Sequence, residues 1–277
     1  MLISLKGSWT IVLGVSSGIG RACAFALAEE GVNVIGVHFG TGAEVEAAQR
    51  LTGEIRDFGV EAHLVNANAA RPATRQQVIA MAKDLTGADG VRVLLHSLAF
   101  GSLVPYLPRE AFPKGLAQRQ LEMTADVMAH SLVYWVQDLA AADLLPRGAK
   151  VFAMTSAGSS QMLPSYGAVS AAKCALESHV RQLACELAPR GVAVNALRAG
   201  VTVTPALSRI PEHTVFLADA GSRNPHGRLT QPGDVGEALV LLSRTDSSWI
   251  TGNVIGVDGG ELVAADGAWR APVPAAD

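Results

Sequence analysis

Cysteine is scarce in this chain, with Cys23, Cys174 and Cys185 alone among 277 residues. An odd count without close pairing argues against a disulfide framework, and free thiols buried in helices are the expectation. Aromatic residues make up only 5%, charged residues 17%, and the net charge is −3. Such a balance gives no basic field for nucleic acid or an anionic membrane, so neither is expected as a partner. No apolar run approaches the ~18 residues of a membrane helix. The first strand-like run starts within about eight residues of Met1, which leaves no room for a signal peptide. A cytoplasmic protein in a reducing compartment is the expectation. The seven histidines show no metal-ligand spacing, so no metal is expected.

What is abundant is aliphatic. Apolar residues reach 49%, which suits helices packed on an aliphatic sheet and argues against disorder. Strand-like and helix-like runs alternate: strand 9–13, helix 21–30, strand 32–37, helix 44–58, strand 60–65, helix 74–85 and strand 91–95. A longer helical region covers 117–145, followed by strand 150–154, helix 165–188, strand 192–197, helix 234–242 and strand 253–257. This order predicts an α/β fold, a single doubly wound parallel sheet of the Rossmann type with about seven strands and helices on both faces. Residues 1–263 read as one catalytic domain and 264–277, rich in Ala, Pro and Asp, as a flexible tail. The long irregular stretch 202–232, with Pro205, Pro211, Pro225 and Pro232, reads as a substrate lid.

Between the first strand and the first helix lies Gly14-Val15-Ser16-Ser17-Gly18-Ile19-Gly20. Glycines 14, 18 and 20 allow tight turns and close backbone approach, and the helix start offers unpaired N–H groups to a pyrophosphate. That placement is the fingerprint of dinucleotide binding. The end of the second strand distinguishes NAD from NADP, because a carboxylate there binds the ribose hydroxyls and repels a 2′-phosphate. The sequence there, Val37-His38-Phe39-Gly40-Thr41, has no carboxylate and leans toward NADPH, with NADH not excluded. It has no Arg or Lys either, so His38, Thr41 and Ser17 either bind a phosphate by hydrogen bonds or are ordinary loop residues.

Tyr166 precedes Lys173 by seven residues. On a helix that spacing is nearly two turns, which places both side chains on one face about 10 Å apart along the axis. A phenol beside an ammonium can act as a proton donor, and the lysine charge is expected to lower the tyrosine pKa.

With these residues in view, the chain resembles the short-chain dehydrogenases/reductases over about residues 5–262. The shared motifs are the glycine loop, Val194-Asn195-Ala196, Ala199-Gly200-x3-Thr204 and Val257-Asp258-Gly259-Gly260. Within that superfamily His96-Ser97-Leu98-Ala99-Phe100 and Tyr166-x6-Lys173 are similar to the enoyl-acyl carrier protein reductases, in the smaller subgroup with a classical glycine loop. Most superfamily members place the tyrosine four residues before the lysine, where this chain has Val169. Ser131 takes the place of the usual helix asparagine, and Ser156 lies where ordinary members keep a catalytic serine. The resemblance implies catalytic roles for Tyr166, Lys173 and Ser156. It implies cofactor contacts from Gly14, Ser16, Ser17, Gly18, Ile19, Gly20, His38, Asn68, Ser97, Ala99, Lys173, Gly200 and Thr204. It also implies a homotetramer built on helices 117–145 and 165–188 and the last strand.

The activity so implied is NAD(P)H-dependent reduction of the trans-2 double bond of an enoyl thioester, on acyl carrier protein or coenzyme A, in acyl-chain biosynthesis. Alternatives are a ketoreductase or alcohol dehydrogenase of the same superfamily, and a non-catalytic nucleotide-binding sensor. His96 reads as a packed wall of the cofactor site. Met162, Leu163, Tyr106, Leu207 and Phe216 either line an acyl pocket or pack the core. Arg209, Arg223 and Arg228 either meet an acidic carrier or form a solvated loop face.

Overall fold

The first strand, β1 (Trp9–Leu13), is buried at all five positions. Its apolar run can be covered on both faces only inside a sheet flanked by helices. The computed structural model describes residues 2–211 and 213–264, and among them it supplies that arrangement. Six further strands, β2 (Asn33–His38), β3 (Ala62–Asn66), β4 (Val93–His96), β5 (Lys150–Ser156), β6 (Ala193–Ala199) and β7 (Val254–Val257), complete one sheet in the order β3-β2-β1-β4-β5-β6-β7. Every pairing is parallel.

The helices are α1 (Gly18–Glu29), α2 (Ala43–Arg56), α3 (Pro72–Thr86), α4 (Gln118–Ala125), α5 (Ser131–Ala141), α6 (Gly167–Leu187), α7 (His213–Arg223) and α8 (Pro232–Ser243). Strand residues alternate between faces. Ile11, Leu13, Leu94, Val151 and Val194 pack under α3, α5 and α6. Val12, Val93, Leu95, Phe152 and Leu197 pack under α1, α2 and α8. The chain runs outward from β1 to β3, then crosses back to β4 on the other side of β1. That reversal opens a crevice at the C-terminal ends of β1 and β4, the place where open α/β sheets bind ligands.

Several sequence expectations are corrected. The helical region 117–145 is two helices joined by a π turn at Asp126–His130. The Ser131 hydroxyl donates back to the Val127 carbonyl at 2.8 Å, an i−4 bond of the kind that bends helices. The second helix stops at Ala141, before Asp143 turns left-handed with φ 56°. The stretch 202–232 is not irregular throughout, because it contains α7 and a short 3₁₀ turn at Leu207–Arg209. Its prolines flank the helix, where they are tolerated, instead of interrupting it. Of the three cysteines, Cys23 is buried in α1, whereas Cys174 and Cys185 are exposed on α6. The tail beyond Ala264 and the Phe216 side chain lie outside the described residues. Among the described residues no helix is long and apolar enough to cross a membrane.

Candidate active site

The crevice begins at Gly14, whose φ of 89° favours glycine. A side chain there would run into the Ser97 carbonyl, and one on Gly20 into the Gly14 carbonyl. A Cβ on Gly18 would lie 3.2 Å from Thr204 Cγ2. The glycine loop, the end of β4 and the segment after β6 therefore converge at backbone distance. Ser17 caps α1 without a side-chain bond to its first turn. The helix start thus keeps N–H groups for an anion. A pyrophosphate fits the unengaged N–H groups of this helix start, and the glycines permit the close backbone approach that shapes the turn around it.

The other sequence-derived site residues share the same edge. His38 ends β2 and is 6% exposed, and Asn68 follows β3 with its carboxamide accepting from the Ala70 N–H at 2.9 Å. Ser16 and Ala99 are exposed, Ile19 packs against the core, and Gly200 follows β6 with its N–H on the Val257 carbonyl at 3.3 Å. A groove of about 660 Å³ between α1 and α8 touches Gly18 but is lined by none of Ser156, Tyr166 and Lys173.

Ser156 is the last residue of β5, and Tyr166 is the N-cap of α6. This differs from the helix interior expected for Tyr166. With φ −102° and ψ 1°, Tyr166 stands just outside the helix, and its carbonyl accepts the Ser170 N–H at 2.8 Å. Its ring is half-buried and lies on Gly158, where an added Cβ would come within 2.9 Å of Tyr166 Cδ1. Burial raises the phenol pKa above its ordinary 10.0, and the neighbouring Ser156 hydroxyl pulls it partly back. The expected lowering by lysine is thus overturned, because desolvation of the phenolate dominates. Ser156 Oγ stands near the phenol without closing a hydrogen bond of standard geometry, and it is a buried oxygen with no partner among the described residues.

Lys173 is 5% exposed, and its Nζ donates to the Met154 carbonyl at 2.6 Å. Burial pushes its pKa down to about 8, while Glu177, one turn along α6, acts in the opposite direction. Val169 stands where an ordinary member keeps its tyrosine, and it is packed in the core at 3% exposure. His96 is fully buried, with Nε2 2.8 Å from Ser131 Oγ. The serine proton is committed to Val127, so the imidazole N–H is the donor and Nδ1 the bare acceptor, as assigned from the bonding pattern. Burial and the nearby Lys173 charge push the His96 pKa down to about 3.

Within the segment after β4, where the sequence pointed to Ser97, Ala99 and Tyr106, the packing role of residues 101–109 was not read from the sequence. Gly101 packs against Thr124, Met128 and Val169. The Tyr106 ring covers Gly167, with its Cζ 2.8 Å from where a Cβ would stand. Arg109 Nη2 donates to Ser165 Oγ at 2.8 Å. Residues 101–109 therefore brace the start of α6, on both sides of Tyr166. Of the other residues weighed for the acyl pocket, Met162 is 69% exposed. Arg228 is engaged by Asp234 through bonds of 2.7 and 2.9 Å.

Over residues 14–261 the chain matches the family described as Enoyl-(Acyl carrier protein) reductase. It is 27% identical to the enoyl-[acyl-carrier-protein] reductase [NADH] FabI of Escherichia coli (strain K12), over 94% of this chain and 96% of that protein. It is 28% identical to an NADPH-dependent aldehyde reductase-like protein, chloroplastic, of Arabidopsis thaliana, over 93% and 95%. The crystal structure of the enoyl-(acyl-carrier-protein) reductase of Anaplasma phagocytophilum in complex with NAD superposes with a TM-score of 0.82 over 98% of each chain, at 19% identity. The chain belongs to this family, a branch of the short-chain dehydrogenase/reductase oxidoreductases.

Proposed function

We propose that the protein reduces the trans-2 double bond of an enoyl thioester. The observation that carries this reading is Tyr166 at the head of α6 with Val169 sealed in the core. In a ketone the developing negative charge sits on the oxygen bonded directly to the carbon that accepts hydride. In an α,β-unsaturated thioester the charge appears on the thioester oxygen, three bonds from the β-carbon. A donor one helical turn nearer the start of α6, about 5 Å away, suits the displaced oxygen.

A bound nicotinamide dinucleotide would be held by the glycine loop, Thr204 and Lys173, and would supply the hydride. Tyr166 gives its hydrogen bond to the enolate oxygen. Burial keeps the phenol protonated at neutral pH, so it can act as a donor. Lys173, charged below about pH 8, adds a positive field beneath that oxygen and orients the ribose. Ser156 offers a second, unengaged hydroxyl at the same point. The acyl group reaches the site as a carrier-protein or coenzyme A thioester. The homotetramer implied by the family resemblance is part of the same reading. Trp249, 93% exposed just before β7, suits an oligomer surface there.

A second reading, reduction of a carbonyl, is favoured by the aldehyde reductase-like relative and by Ser156 in the ordinary serine position. The two separate when the protein is given reduced dinucleotide with crotonyl thioester or with acetoacetyl thioester and nicotinamide absorbance is followed. Consumption with the crotonyl substrate supports the proposal. Consumption with the keto substrate alone overturns it.

A further inference from the structure

We infer that Glu44 selects the nicotinamide dinucleotide without a 2′-phosphate, so that NADH binds in preference to NADPH. The inference rests on the dinucleotide reading of the crevice and not on the identity of the acyl substrate. The sequence shows no carboxylate at the end of β2. The fold brings one there from the first turn of α2.

Two clamps fix the turn that follows β2. Asn66, paired with His38 across β2 and β3, donates Nδ2–H to the Gly40 carbonyl at 2.9 Å and accepts the Gly40 N–H at 3.0 Å. Glu44 Oε2 accepts the Thr41 N–H at 3.0 Å. Glycine is needed for this closure, because a Cβ at position 40 would stand 2.7 Å from Glu44 Cβ and 3.0 Å from Oε2. The carboxylate is thereby folded back over the turn that ends the second strand. In this kind of fold that place belongs to the adenosine ribose hydroxyls.

Among the described residues no Lys or Arg pairs with it. Residues 38–43 contain neither Lys nor Arg. His38 feels Glu44, but burial outweighs that and leaves its pKa below the ordinary 6.5, so the ring is neutral at about pH 7. Ser17 contributes a neutral hydroxyl. Arg21 on α1 is directed at Glu54 of α2, 2.7 Å away, with its guanidinium 4.7 Å over the Phe25 ring. Ribose hydroxyls would meet an ionised acceptor at this position. A phosphate would meet a like charge.

Equilibrium titration of the purified protein with NADH and with NADPH, by calorimetry without acyl substrate, tests the inference. NADH is expected to bind about tenfold more tightly at low salt, with the gap shrinking as salt screens the repulsion. Glu44→Gln keeps the bond to Thr41 and removes the charge. It should reduce the preference about fivefold, mainly by tightening NADPH. Equal or tighter NADPH binding by the unaltered protein overturns the inference, as does a preference unchanged in Glu44→Gln. Binding of neither dinucleotide overturns it together with the dinucleotide reading. A clear preference in a protein that fails to reduce crotonyl thioester supports Glu44 and counts only against the proposed reaction.

Discussion

The Tyr166 ring lies on Gly158, and the gap between them does not admit a methyl group. The strand that carries Ser156 thus also sets the height of the phenol, since Gly158 follows two residues later. Gly158→Ala should tilt the ring away from the crevice. A misplacement of that order costs about 10²-fold in rate. We expect kcat to fall by about that factor while dinucleotide affinity stays within about twofold, read by steady-state kinetics and calorimetry.

The pH dependence should follow Lys173. Its folded pKa is lowered by burial from 10.5 to about 8, so the ammonium is present below that pH and lost above it. The Tyr166 phenol, raised above 10.0, keeps its proton throughout this range. The rate should be level near neutrality and fall about tenfold per pH unit above the lysine pKa. A profile of kcat that stays flat well beyond about pH 9 would count against the assignment.

His96 couples stability to acid. Its folded pKa, about 3, lies below the ordinary 6.5. Between those values the unfolded chain takes up a proton that the folded one refuses. The stabilisation is therefore complete above about 6.5 and declines as pH falls, by up to about 1.4 kcal/mol per unit. His96→Gln, which retains an N–H for Ser131, should remove about one proton from the slope of unfolding free energy against pH. Denaturant titrations across the window measure it, and an unchanged slope contradicts the neutral, buried imidazole.

Much of this was legible in the sequence, because some signals are local. The apolar run of β1, the glycine spacing of 14, 18 and 20, and the Tyr166–Lys173 interval each announce themselves within a few residues. Ends of elements were less readable. Tyr166 was expected inside a helix, but α6 starts at Gly167, two residues later than the periodicity suggests, and leaves Tyr166 as its N-cap. Features made by distant partners were not readable at all. Arg109 and Ser165 are 56 residues apart, and Gly158 acquires meaning only when the Tyr166 ring lies on it. Glu44 is close to β2 in sequence, yet nothing in the string says that the Phe39–Gly40 turn folds it back. The direction of the tyrosine shift was misjudged for a similar reason, since the charge of Lys173 is evident from spacing and the burial of the phenol is not.

The most direct test of the central claim is the rate of crotonyl thioester reduction by Tyr166→Phe, measured in a single turnover with dinucleotide already bound. Loss of a positioned donor to a developing oxyanion predicts a fall of about 10²–10³-fold with dinucleotide affinity intact. A rate within about threefold of the unaltered protein would contradict the assignment of Tyr166 as the donor.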